Sequence, residues 1–191
     1  MPGRTSIAVV VAILCCGLVA AAGTAGVWLD VPFVKQDKDG CGAASIAMVM
    51  QYWQQHRGKS SNHGAQGNNP NAEYAHIEQA LLSRDAHGIF ASDMKRYFVE
   101  HGYTAFTFAG NMNLMQHHLR EGRPLIVALK PGSHLPLHYV VVAGVDEDDH
   151  TVLLNDPAQR KLLKQDDPKY EKEWKAAGYW TLLAVPEADS R

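Results

Sequence analysis

An α+β domain is predicted, in which one buried helix packs against an antiparallel sheet. Three observations predict it. The stretch from Cys41 to Trp53 is apolar almost all round, as expected for a helix in the middle of a domain. Helical patterns dominate as far as Glu121, whereas the last third consists of runs of β-formers separated by turn residues. Helices first and strands later favour α+β over an alternating parallel arrangement. The 191 residues suit one domain, and 46% hydrophobic content excludes global disorder. A net charge of −2 with both signs interspersed gives no electrostatic footprint for nucleic acid, and none is expected as a partner.

Residues 1–25 are set apart before any element is assigned. Arg4 supplies a positive start, residues 7–22 form an uncharged apolar run, and small residues follow from Ala20 to Ala25. This is the layout of a secretory signal peptide, with an uncleaved N-terminal anchor as the alternative. Export to the periplasm or beyond is expected, with membrane contact only through that segment. The domain is then 26–191.

Val27 to Val34 reads as a short extended segment, and Gln36 to Gly40 as a polar loop of turn formers. The buried helix follows from Cys41. Residues 58–71 form a Gly/Ser/Asn-rich loop. Helices are expected over Glu73–Ser83, Ser92–His101 with Ser92 as the cap, and Asn113–Glu121, the last two ended by Gly102 and Gly122. Strands are expected at Tyr103–Phe108, Pro124–Leu129, His138–Val145, Thr151–Asn155 and Tyr179–Val185, with a charged helix over Asp166–Lys175.

Of three cysteines, two fall in the targeting segment, so the domain keeps Cys41 alone. Exported proteins mostly use cysteines in pairs. A single thiol where a glycine-flanked loop meets a helix suits a nucleophile, because the helix N-terminus favours the thiolate. A base is needed, and His138 opens a strand that the acidic turn Asp146–Asp149 returns as Thr151–Asn155. For a hairpin centred there, opposed residue numbers sum to about 294–296, which sets Asp156, within two positions, opposite His138. Asp156 would orient the imidazole; Asn155 should point to the other face. The Cys41 N–H and the Gln36 side chain would bind the oxyanion. His134 is a rival base in a Pro/Gly loop. His117-His118 and the spread of His56, His63, His76, His87 and His101 lack the four-residue spacing with a nearby carboxylate that a helical zinc site uses, and neither metal nor cofactor is expected.

Val31-Pro32-Phe33-Val34-Lys35-Gln36, Gly40-Cys41-Gly42-Ala43-Ala44-Ser45, Gly122-Arg123-Pro124-Leu125-Ile126-Val127, His138-Tyr139-Val140-Val141-Val142 and Asn155-Asp156-Pro157-Ala158 together resemble the bacterial C39-like cysteine peptidases. These are papain-like enzymes related to the double-glycine peptidases that mature bacteriocin precursors. The resemblance implies a papain-like fold, catalytic Cys41, His138 and Asp156, Gln36 in the oxyanion hole, and a peptide or protein substrate. Double-glycine peptidases work in the cytosol fused to a transporter, so the export signal implies a free-standing extracytoplasmic peptidase instead. A non-catalytic peptide-binding module and an amidase or transglutaminase-type enzyme are the alternatives. An active-site probe with and without Cys41 separates the enzymes from the binding module.

Overall fold

The computed structural model describes residues 26–57 and 70–187. The targeting segment and nearly all of the Gly/Ser/Asn-rich loop lie outside the described residues. The elements run β1 (Val27–Trp28), α1 (Cys41–Arg57), α2 (Pro70–Leu81), α3 (Ala91–Glu100), β2 (Tyr103–Ala109), α4 (Met112–Arg120), β3 (Leu125–Leu129), β4 (His138–Asp146), β5 (Thr151–Asn155), β6 (Leu163–Asp166), α5 (Asp167–Ala176) and β7 (Trp180–Pro186). The fold is a mixed helical and antiparallel α+β domain, as the sequence predicts.

The sheet order is β2-β7-β3-β4-β5-β6, with β1 pairing the far end of β4. β3 and β4 read as continuous apolar runs because both faces of the sheet are covered. Tyr139, Val141 and Ala143 join the core under α1, α2 and α3, while Val140 and Val142 join the core under α4 and α5. Ile126 and Ala128 of β3 face the first core, and Leu125, Val127 and Leu129 the second. This is the period-two alternation of a strand with both sides dry. From Cys41 to Tyr52 every residue of α1 is buried, and Ala43, Ala44 and Ala47 let neighbouring elements approach closely.

Three expectations are corrected. The first strand is only Val27–Trp28; from Leu29 the chain follows β4 through a bond from Leu29 N–H to Ala143 O (2.7 Å) and then leaves it. Helix α3 is not capped by Ser92: its N-cap is Phe90, which makes no side-chain cap bond. β6 is an additional edge strand, antiparallel to β5, that precedes the charged helix.

Candidate active site

The loop before α1 delivers Cys41 to the first helical position, where its N–H has no intrahelical acceptor. Gly40 O takes the Ala44 N–H at 3.0 Å, and Gly40 N–H bonds Asp37 O at 3.3 Å. Tyr74 of α2 holds this loop: its hydroxyl accepts from Asp37 N–H at 2.9 Å and donates to Glu78 Oε1 at 2.7 Å. A Cβ on Gly40 would lie 2.2 Å from that hydroxyl, so only glycine lets the loop and α2 come this close. Cys41 is 9% exposed and opens a helix whose N-terminus carries partial positive charge.

His138 opens β4, and its Nε2 lies 2.7 Å from Asp156 Oδ1. Cys41 is close enough to act on the same ring electrostatically, on the side that Nδ1 leaves free. Burial disfavours a charged His138, but the bond from Asp156, the nearness of Cys41 and both their charges outweigh it and raise the imidazole to about 9. Asp156 is held in its carboxylate form: burial opposes this, and His138, the Ala158 N–H and the Gln159 amide more than offset it. Ala158 N–H reaches Oδ1 at 2.9 Å, and Gln159 Nε2 bonds Oδ2. Asp156 therefore starts a tight turn, closed by Gln159 N–H to Asp156 O at 3.0 Å, which folds its carboxylate back toward β4.

The hairpin ladder explains how these two side chains meet. Opposed residues pair as Asp146↔Thr151 near the turn and as Val141↔Asn155 toward the open end, with a bulge between Val142 and Gly144 that shifts the register by one. Beyond the bulge the paired numbers sum to 296, at the upper limit of the expected range. Asn155 faces away from His138: its Nδ2 donates to Val31 O at 3.0 Å and its Oδ1 accepts from Leu162 N–H at 3.0 Å.

Gln36 reaches the same corner through its backbone, whose N–H donates to Pro157 O at 3.0 Å. Its side-chain amide is turned onto its own loop, Nε2 donating to Asp37 O at 3.2 Å, while Oε1 is buried without a hydrogen-bond partner. His134 is exposed in the loop before β4 and is not part of the Cys41 cleft. That cleft, about 370 Å³, runs between the 86–91 segment and Pro136, Leu137 and Tyr139. Gly42 lets Ile89, which lines the cleft, pack close to α1, since a Cβ there would meet Ile89 Cβ at 3.1 Å. Two larger grooves, one beside Lys130 and Lys169 and one beside Asn111 and Asp167, contain no cysteine. Sequence reasoning missed Tyr74, Gln159 and the 86–91 wall. Only Gln159 had a local signal, the Asp-Pro turn that begins at Asp156.

Residues 28–182 match the profile of the Peptidase_C39 like family. The chain belongs to this family. No curated protein sequence matches it. Among solved structures, the C39-like chain is similar to the peptidase domain of Streptococcus ComA, a bifunctional ABC transporter involved in a quorum-sensing pathway, with a TM-score of 0.59 at 18% identity over 82% of this chain and 98% of that one. It is similar to a protein described as a C39-like peptidase from Bacillus anthracis, with a TM-score of 0.55 at 18% identity over 86% and 99% of the two chains. The peptidase domain of Streptococcus mutans ComA gives 0.51 at 18% identity over 81% and 98%. At these identities the likeness is one of fold, and it is the papain-like C39 fold.

Proposed function

We propose that this C39-like chain is a cysteine peptidase whose nucleophile, base and orienting acid are Cys41, His138 and Asp156. The observation that carries this reading is the His138 ring, bonded to the Asp156 carboxylate at 2.7 Å and acted on by the Cys41 thiol at the start of α1. An imidazole raised to about 9 carries its proton at neutral pH, and a charged imidazolium beside a thiol favours the thiolate. The thiolate attacks a peptide carbonyl carbon, forming the S–C bond and an oxyanion. The Cys41 N–H is the first donor to that oxygen, and the Gln36 amide supplies a second once it releases Asp37 O. His138 passes its proton to the leaving amine as the C–N bond breaks, which leaves an acyl-enzyme. Neutral His138 then takes a proton from water as the hydroxide oxygen attacks the acyl carbon. The acid is released, and the thiolate–imidazolium pair is restored. Asp156 holds the ring in place and stabilises its charge.

Alkylation and hydrolysis together test the reading. Wild-type protein should take up iodoacetamide at pH 6 about tenfold or more faster than His138→Ala, and should cleave unfolded casein where Cys41→Ala does not. Fast alkylation without Cys41-dependent cleavage would point to the binding module. Equal alkylation rates would remove the activated thiol from the proposal altogether. The reading includes export, supported by Arg4 and the apolar run of residues 7–22.

A further inference from the structure

The walls of the Cys41 cleft carry apolar groups that folding does not require. Phe90 stands at the N-cap of α3, 54% exposed. That position prefers Ser, Thr, Asp or Asn, whose side chains bond the free N–H groups of the first turn, so α3 gains no cap from a phenyl ring. Leu137, the residue before His138, lines the same cleft and is 46% exposed. Single apolar residues on a surface are ordinary, but two lining one groove that holds a thiol mark a binding surface.

The charge inventory of the cleft agrees. No lysine, arginine or carboxylate lines it among the described residues. Its titratable members besides Cys41 are His87, which faces Asp39 at 3.4 Å, and Tyr139, whose hydroxyl is pushed up to about 12 by burial and by Cys41 and so stays neutral. A charged substrate side chain entering here would shed water and find no lysine, arginine or carboxylate among the lining residues to pair with. An apolar one would cover Phe90 and Leu137 and release water from all three surfaces.

We infer that the site selects peptide segments with an uncharged apolar side chain next to the bond attacked, seated against Phe90 and Leu137. The inference rests on the peptidase reading and specifies its substrate class.

Cleavage-site profiling tests both in one experiment. Wild-type protein and Cys41→Ala are incubated with a library of unfolded peptides, and the Cys41-dependent cuts are mapped by mass spectrometry. Leu, Ile, Met or Phe should flank those cuts about tenfold more often than Asp, Glu, Lys or Arg. Phe90→Leu should retain that preference, whereas Phe90→Lys should lose it and gain cuts beside acidic residues; circular dichroism confirms that both variants fold. Cys41-dependent cuts with no apolar preference, or a preference unmoved in Phe90→Lys, would overturn the inference and leave the peptidase standing. An absence of any Cys41-dependent cut would overturn the peptidase and the inference with it.

Discussion

Asp156→Asn removes one negative charge from beside His138 while keeping the size of the side chain and one of its oxygens. In the wild type, Asp156 and Cys41 together overcome burial and raise the imidazole from 6.5 to about 9. That rise is worth roughly 3 kcal/mol in favour of the imidazolium. Without the carboxylate, burial is opposed by Cys41 alone, and the imidazole should return to its ordinary range. With a value of about 9, about nine-tenths of His138 is protonated at pH 8; with a value of about 6.5, about 3% is, a loss of about 30-fold in the competent form. At pH 6 the same substitution removes only about a quarter of it.

The assay is therefore kcat/KM against pH for both proteins, with the alkaline limb assigned to the coupled Cys41–His138 pair. The limb should lie near pH 9 in the wild type and fall to the neighbourhood of 6.5 in the variant, above a smaller pH-independent loss from poorer ring orientation. Folding should survive, because the Asn oxygen still accepts the Ala158 N–H and the Gln159 amide is free to turn. Stability carries the same signature. The folded value of His138 is raised, so its contribution is complete below 6.5 and is lost as pH rises through about 9. Urea unfolding at pH 6 and pH 10 should show that loss in the wild type and little of it in Asp156→Asn. An equal drop in activity at every pH, with the limb unmoved, would refute the reasoning and leave Asp156 as a packing residue.

Asn155→Ala should cost about 2–4 kcal/mol of stability in urea unfolding, because it strands Val31 O and the Leu162 N–H, yet the surviving enzyme should keep the wild-type alkaline limb. Gly40→Ala should lower kcat by about tenfold or more with KM little changed, since a Cβ 2.2 Å from the Tyr74 hydroxyl pushes the Cys41 loop off α2. Adding Tyr74→Phe to it should restore part of that kcat; no restoration would mean that the hydroxyl is not the obstacle. An alkaline phosphatase fused after Arg191 should be active and a cytoplasm-dependent reporter in the same place silent; the reverse pattern would put Cys41 in the cytosol and end the export proposal.

The parts of the fold legible in the sequence are those whose burial is simple. α1 is dry on all sides from Cys41 to Tyr52 and β4 on both faces from Tyr139 to Val145, so composition alone reveals them. β6 escapes because an edge strand with one buried residue, Gln165, between charged neighbours has neither an apolar run nor a clean alternation. The start of α3 escapes because cap chemistry favours Ser92, whereas the chain sets Phe90 there, on the wall of the cleft. The same division runs through the site. His138 and Asp156 belong to one hairpin, so their meeting follows from counting across a turn, and even the one-residue bulge keeps the count within two positions. Tyr74 is different: it is brought to Gly40 by the packing of α2 against α1, and the Tyr74–Glu78 pair looks from sequence like any pair one turn apart on an exposed helix face. A glycine that a hydroxyl fits against at 2.2 Å from its absent Cβ is a tertiary fact about a local residue. Sequence reasoning can therefore find the atoms proposed to do chemistry here more readily than the ones that hold them still, because the first are constrained by element and register and the second only by how whole elements pack.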